Sequence, residues 1–116
     1  MARDDVLTAR FRDALSGMVG ISEQNMMGGV CFMLNGNMVG GAHREKTGEG
    51  RFMFRVGKEN HEEALSRPGA MPMDFTGRVM RGFVFIDADD CADAMLQDWI
   101  SFALSFAATL PPKPGK

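Results

Sequence analysis

Apolar positions in DDVLTARFRDALSGM (residues 4–18) recur at helical spacing. Val6, Leu7, Ala9, Phe11, Ala14, Leu15 and Met18 fall mostly on one face and predict an amphipathic first helix. Asp4 or Asp5 can cap its start, and Gly17 or Gly20 its end. The pattern then changes period. VCFML and NMVGGAH, both of strand length, flank Asn35-Gly36, a dipeptide that tolerates the positive φ angles of a type I′ hairpin turn. The first run is apolar throughout, which predicts a central, covered strand. Gly28-Gly29 reads as a turn or bulge entering it, and Gly40-Gly41 as a bulge or a close backbone approach. RFMFRVG alternates, with Phe52, Phe54 and Val56 set against Met53 and Arg55, and predicts a third antiparallel strand.

KENHEEALS predicts a short helix with Ala64 and Leu65 inward and its Glu and His residues in solvent, closed by Arg67-Pro68-Gly69. AMPMDFTGRVMRG is the least regular stretch: Pro72 argues against a central strand, and Gly77 and Gly82 punctuate it. FVFID predicts a last strand over Phe83–Ile86. DADD can cap a final helix running from about Cys91 to Leu110, which Pro111-Pro112 halts. That helix carries two adjacent apolar stripes, Met95/Trp99/Phe102/Phe106 and Leu96/Ile100/Ala103/Ala107/Leu110, wider together than one sheet face needs. Either the helix is sandwiched within the domain or its edge meets a second copy. Trp99, Phe102 and Phe106 are therefore the candidate homodimer-interface residues. PPKPGK reads as a stiff, exposed tail over 111–116. The expected fold is one α+β domain over residues 1–116. Its antiparallel sheet of about four to five strands is flanked by an N-terminal, a short middle and a long C-terminal helix.

The length of 116 residues suits one domain, and 45% hydrophobic with 24% charged residues is ordinary for a globular chain. Eleven methionines and no tyrosine are unusual. Methionine fills irregular gaps and suits adaptable surfaces, so it stands either for leucine in the core or for an interaction surface. A net charge of −2 leaves no footprint for indiscriminate nucleic-acid binding. The charge is unevenly spread: residues 40–82 hold eight Lys or Arg against six acids, and residues 83–110 hold five Asp and no Lys or Arg. Two cysteines, no apolar leader and no run long enough for a bilayer predict a cytoplasmic protein with reduced thiols and no membrane partner.

The glycine-rich stretch MMGGVCFMLNGNMVGG lacks the Lys and the following helix of a phosphate loop, so it predicts sheet geometry. His43 at a strand end and His61 among glutamates both read as solvated surface histidines. Cys31 reads as a small core residue, and Cys91 lies near a helix start but beside Asp89, Asp90 and Asp93. No nucleophile–base pair, metal quartet or cofactor motif emerges, so no catalytic residue, metal or cofactor is assigned and the chain is expected not to be an enzyme. Phe52 and Phe54 could stack bases only if exposed; core packing is the plainer reading. The irregular segment supplies the candidate partner-binding residues, Arg78, Met80 and Arg81, a charge–apolar–charge surface. The alternative is that its arginines pair with Asp74 or the acidic last helix.

MMGGVCFMLNGNMVGG, RVG, RPGAMPMDFTGRVMRGFVFID and LPPKP, in that order, resemble the TfoX N-terminal domain family from about Val6 to Pro114. The resemblance rests on the Met-x-Gly-Gly entry ending at Gly29, the Asn35-Gly36 turn and Gly77-Arg78-x-Met80-x-Gly82. Where the family commonly has Met-Phe-Gly-Gly, Met27 replaces the aromatic residue. The resemblance implies an antiparallel sheet flanked by helices, similar to dimeric secretion-chaperone-like folds. It also implies a regulatory role, since the founding members regulate DNA-uptake competence together with a cyclic-AMP-responsive transcription factor and carry a second, C-terminal domain. This chain is expected to be a stand-alone, homodimeric first domain that contacts a protein partner in transcription, with nucleic acid bound by the 40–82 region, or an enzyme of unknown reaction, as the alternatives.

Overall fold

The computed structural model describes residues 1–75 and 77–113, and of Phe75 the backbone. Helix α1 (Asp5–Ala14) is followed by strands β1 (Ile21–Met26), β2 (Gly29–Leu34), β3 (Asn37–Arg44) and β4 (Gly50–Arg55). A short helix α2 (His61–Leu65) leads to β5 (Met71–Phe75), β6 (Arg78–Asp87) and the long helix α3 (Asp93–Ala107). The strands form one antiparallel sheet in the order β1-β2-β3-β4-β6-β5. The α+β class is the expected one, with six strands in place of four to five.

The added strand is β1, ISEQNM, whose four central residues are exposed. An edge strand wet on both faces has no alternation to read, and it is held by its ladder to β2, from Ile21↔Leu34 to Met26↔Gly29. The turn between them places Met27 at φ 56° and Gly28 at φ 78°. The Asn35-Gly36 turn forms as expected, at φ 49° and 83°. The irregular segment is a hairpin: β5 pairs with a β6 that reaches back to Arg78, and Pro72 sits on the sheet edge beside a register shift.

Helices α1 and α3 cover one face. Phe11, fully buried, stacks on Phe32 at 4.7 Å and lies 5.8 Å from Phe54, while Trp99 stacks on Phe54 at 5.5 Å. Gly40 is needed here, because a Cβ there would stand 2.1 Å from the Met53 carbonyl oxygen and 3.1 Å from the Phe11 ring. Asp4 caps α1 by accepting from the Leu7 amide at 3.0 Å. The expected cap of the last helix is not made by DADD: Ala88–Asp90 forms a 3₁₀ turn and Ala92 is the N-cap, with no side-chain bond. Arg10 anchors this junction instead, donating to the Cys91 carbonyl at 2.6 Å and to Asp93 at 2.9 Å. The tail is exposed through Lys113, yet it is tied to the β2–β3 hairpin by Lys113 N to Asn35 O (2.8 Å) and Asn37 Nδ2 to Pro111 O (2.9 Å). Its last residues, 114–116, lie outside the described ones.

The other face is built differently. Cys31, Met53, Met73 and Phe85 are buried there beneath Met1, Met26, Met27, Met38, Met71 and Phe83. Seven of the eleven methionines thus gather on one side of the sheet. Met26 and Met27 from the β1 end and Met73 from β5 line one small cavity although those strands are the two sheet edges. In a flat sheet the edges of six strands would stand about 24 Å apart, so this face is strongly concave. Flexible, unbranched methionines fill such a curved hollow better than stiff β-branched residues.

Candidate functional site: a basic, aromatic groove

Two glycines shape the groove beside α3. Gly57 follows β4 at φ 90°, and Gly82 interrupts β6 at φ 91°, conformations that side chains rarely adopt. The Gly82 carbonyl accepts from the Val56 and Gly57 amides at 2.8 and 3.2 Å. Its own amide donates to His61 Nδ1 at 2.9 Å. A Cβ on Gly82 would lie 2.9 Å from the Gly57 carbonyl carbon, and one on Gly57 would lie 2.5 Å from the Phe106 ring. The glycines therefore let the two strand ends and Phe106 close up.

The resulting groove has a volume of ≈ 560 Å³, within the range of ligand and peptide-anchor pockets. Phe83, Phe102 and Phe106 supply its apolar wall, and Arg55, Lys58 and Arg81 its charge, with Glu59 the acidic residue among the lining. The Arg55 guanidinium lies 5.3 Å from the Phe106 ring centre and 6.0 Å from that of Phe83. Among the described residues, neither Arg55 nor Lys58 forms an ion pair. Arg81 meets Glu62 at 3.3 Å, and because both are well exposed the pair contributes at most about 1 kcal/mol. Its partner is thus α2, not Asp74 or the last helix.

Of the residues expected to bind a partner, Arg81 lines the groove, whereas Arg78 and Met80 sit on the exposed start of β6 outside its lining. Of the expected interface residues, Phe102 and Phe106 line the groove, half-buried. Trp99 is only 2% exposed within the single chain. Arg67 lies 4.2 Å over Phe102 and 5.4 Å over Trp99, so one cation of the same chain rests on part of the apolar stripe. Arg55, Lys58 and Phe83 join the site without having been singled out. The signal available was RVGK, where a glycine at the end of a strand stands between two cations.

Both histidines depart from the expected solvated positions. His61 is 4% exposed because its spoke of the short α2 points at β6 while Glu62 and Glu63 take the wet side. His43 is 5% exposed on the concave face, where its Nε2 meets Glu45 Oε2 at 2.5 Å. Burial lowers its pKa against the opposing pull of Glu45. Cys31 and Cys91 are buried as free thiols, each pushed up to about 11 by desolvation, as suits core residues. Phe52 and Phe54 are fully buried, which removes them as base-stacking platforms. Among the described residues no group of three His, Cys, Asp or Glu is placed to hold a metal ion, and no helix is long and apolar enough to cross a membrane.

An α+β domain with one coiled antiparallel sheet, helices on one face and a glycine-hinged basic groove at its end defines the class. The chain belongs to the TfoX N-terminal domain family, whose model matches residues 13–107. No curated protein and no solved structure gives a significant match.

Proposed function

We propose that this chain is a non-enzymatic, regulatory interaction domain whose groove receives an acidic segment of a protein partner carrying an aromatic or large apolar side chain. The observation that carries this reading is the pairing of uncompensated cations, Arg55 and Lys58, with an open wall of Phe83, Phe102 and Phe106. Carboxylates answer the first and an apolar anchor the second. Membership of a family whose founding members regulate competence suggests a transcription factor as the partner. The groove gathers neither cysteine and neither histidine, and its two hydroxyls, Ser105 and Thr109, donate to the backbone carbonyls of Ser101 and Phe106 and not to a base.

The test is a titration of the ¹⁵N-labelled full chain with a short Asp/Glu-rich peptide bearing phenylalanine. Amide shifts concentrated at Gly57, Lys58, Gly82 and Ser105, and absent with a Lys-rich peptide of equal apolar content, support the proposal. No shift, or equal response to both peptides, contradicts it. Light scattering separates the rival occupant, a second copy of the chain seated on the same rim. Salt-dependent shifts with duplex DNA in place of the peptide would favour the nucleic-acid alternative.

A further inference from the structure

The concave face holds an arrangement that the groove does not use. A cavity of ≈ 10 Å³, room for about one water-sized particle, is lined by Met26, Met27, Met53, Met73, Cys31 and His43 among others. The ladder sets Cys31 and His43 on the same face: Cys31 pairs with Gly41 on β3, two residues from His43, and both line the cavity. His43 uses Nε2 on the Glu45 carboxylate, which makes Nε2 the protonated nitrogen and leaves Nδ1 with its lone pair. Arg51 lies 3.6 Å from the same carboxylate and keeps it in place.

We infer that this cavity is a binding site for a single soft monovalent cation, Cu(I), held by the Cys31 thiolate, His43 Nδ1 and a methionine thioether. Thioether and thiolate sulfur select Cu(I) over hard or oxygen-seeking ions. Two or three donors suffice for it, whereas structural zinc asks for four. A histidine whose second nitrogen donates to a carboxylate is the usual support of a metal-binding imidazole, and Glu45 provides that support. A plain core gap would not need a buried imidazole–carboxylate pair among methionines, and the helix-covered face of the same sheet is filled with Phe, Val, Ile and Leu instead. Binding exchanges the thiol proton for the cation: the S–H bond breaks, a Cu–S bond forms, and one proton is released. The product is neutral overall, which suits burial.

The probe is Cu(I) buffered by bicinchoninate, offered anaerobically to the reduced full chain. About one equivalent should transfer to the protein. Cys31→Ser and His43→Phe should each weaken binding at least about tenfold, and the positioning variant Glu45→Gln about tenfold with partial recovery in Glu45→Asp. Cys91→Ser should leave the affinity unchanged. In the wild-type chain, which needs no variant to fold, ¹⁵N NMR should show the Nδ1 resonance of His43 moving on Cu(I) addition while His61 stays fixed. Failure to compete with the chelator, binding that survives Cys31→Ser, preference for Zn(II), or a shift at His61 in place of His43 would each overturn the assignment.

Discussion

The buried His61 ring accepts the backbone amide of Gly82 at 2.9 Å, joining the short helix α2 to the bulge in β6. The same glycine accepts two amides from the end of β4, so one residue ties three segments around the groove. Replacing His61 by Phe fills the space but leaves that amide without a partner, a cost of roughly 1–3 kcal/mol. Chemical denaturation should show the loss as a lower midpoint with an unchanged slope. Equal stability would mean that the hydrogen bond does not hold the bulge.

Phe11 centres the aromatic cluster under α1, with no exposed surface and ring contacts to Phe32, Phe52 and Phe54. Phe11→Ala should destabilise by about 3–5 kcal/mol, the range for deleting a buried aromatic ring, and Phe11→Leu by appreciably less. Differential scanning calorimetry distinguishes the two.

Asp4 supplies both the N-cap of α1 and an ion pair with Arg44 at 2.7 Å. The Leu7 amide, foremost, and then Arg44 hold its carboxyl below the ordinary 3.8. A depressed folded pKa means that the unfolded chain binds the proton first as pH falls. The contribution is therefore complete above the ordinary value and is lost as pH drops through the lower, folded one. Asp4→Ala should cost about 1 kcal/mol at pH 7, and the gap from wild type should shrink below about pH 4. A gap that widens on acidification would contradict the sign.

Both thiols are buried and pushed up to about 11. Ellman's reagent at pH 8 should therefore modify neither Cys31 nor Cys91 in the native chain on the timescale of free cysteine, and both at once in denaturant. Rapid native labelling of one site would show that its strand or turn opens.

Much of this architecture was legible where one local rule acted alone. Asn35-Gly36 needed only its tolerance of positive φ, and Phe52, Phe54 and Val56 only their alternation. The misses arose where tertiary contacts decided. β1 is polar because both faces at the sheet edge are wet, so nothing in ISEQNM marks a strand except its ladder to β2. His61 was masked by glutamates that neighbour it in sequence but not around the helix. DADD looked like a cap, yet the chain spends it on a 3₁₀ turn and Arg10 secures the helix start from another element. The groove was half visible. Arg81, Phe102 and Phe106 were singled out for separate reasons, and only the glycine pair Gly57 and Gly82 brings them to one place. On α3, Arg67 and Arg55 of the same chain lie over the Phe102 and Phe106 rings, which stay half-buried at the groove, a placement that only the folded chain shows.

Fluorescence anisotropy of a labelled Asp/Glu-rich, phenylalanine-bearing peptide against three versions of the chain decides whether the groove is the working surface. Wild type should bind with an affinity that falls as salt rises, Arg55→Glu should weaken it at least about tenfold, and Lys46→Glu, on the distant β3–β4 turn, should not change it. Equal weakening by Arg55→Glu and Lys46→Glu, or no binding by wild type at low salt, would show that the cations at this groove are ordinary solvated charge.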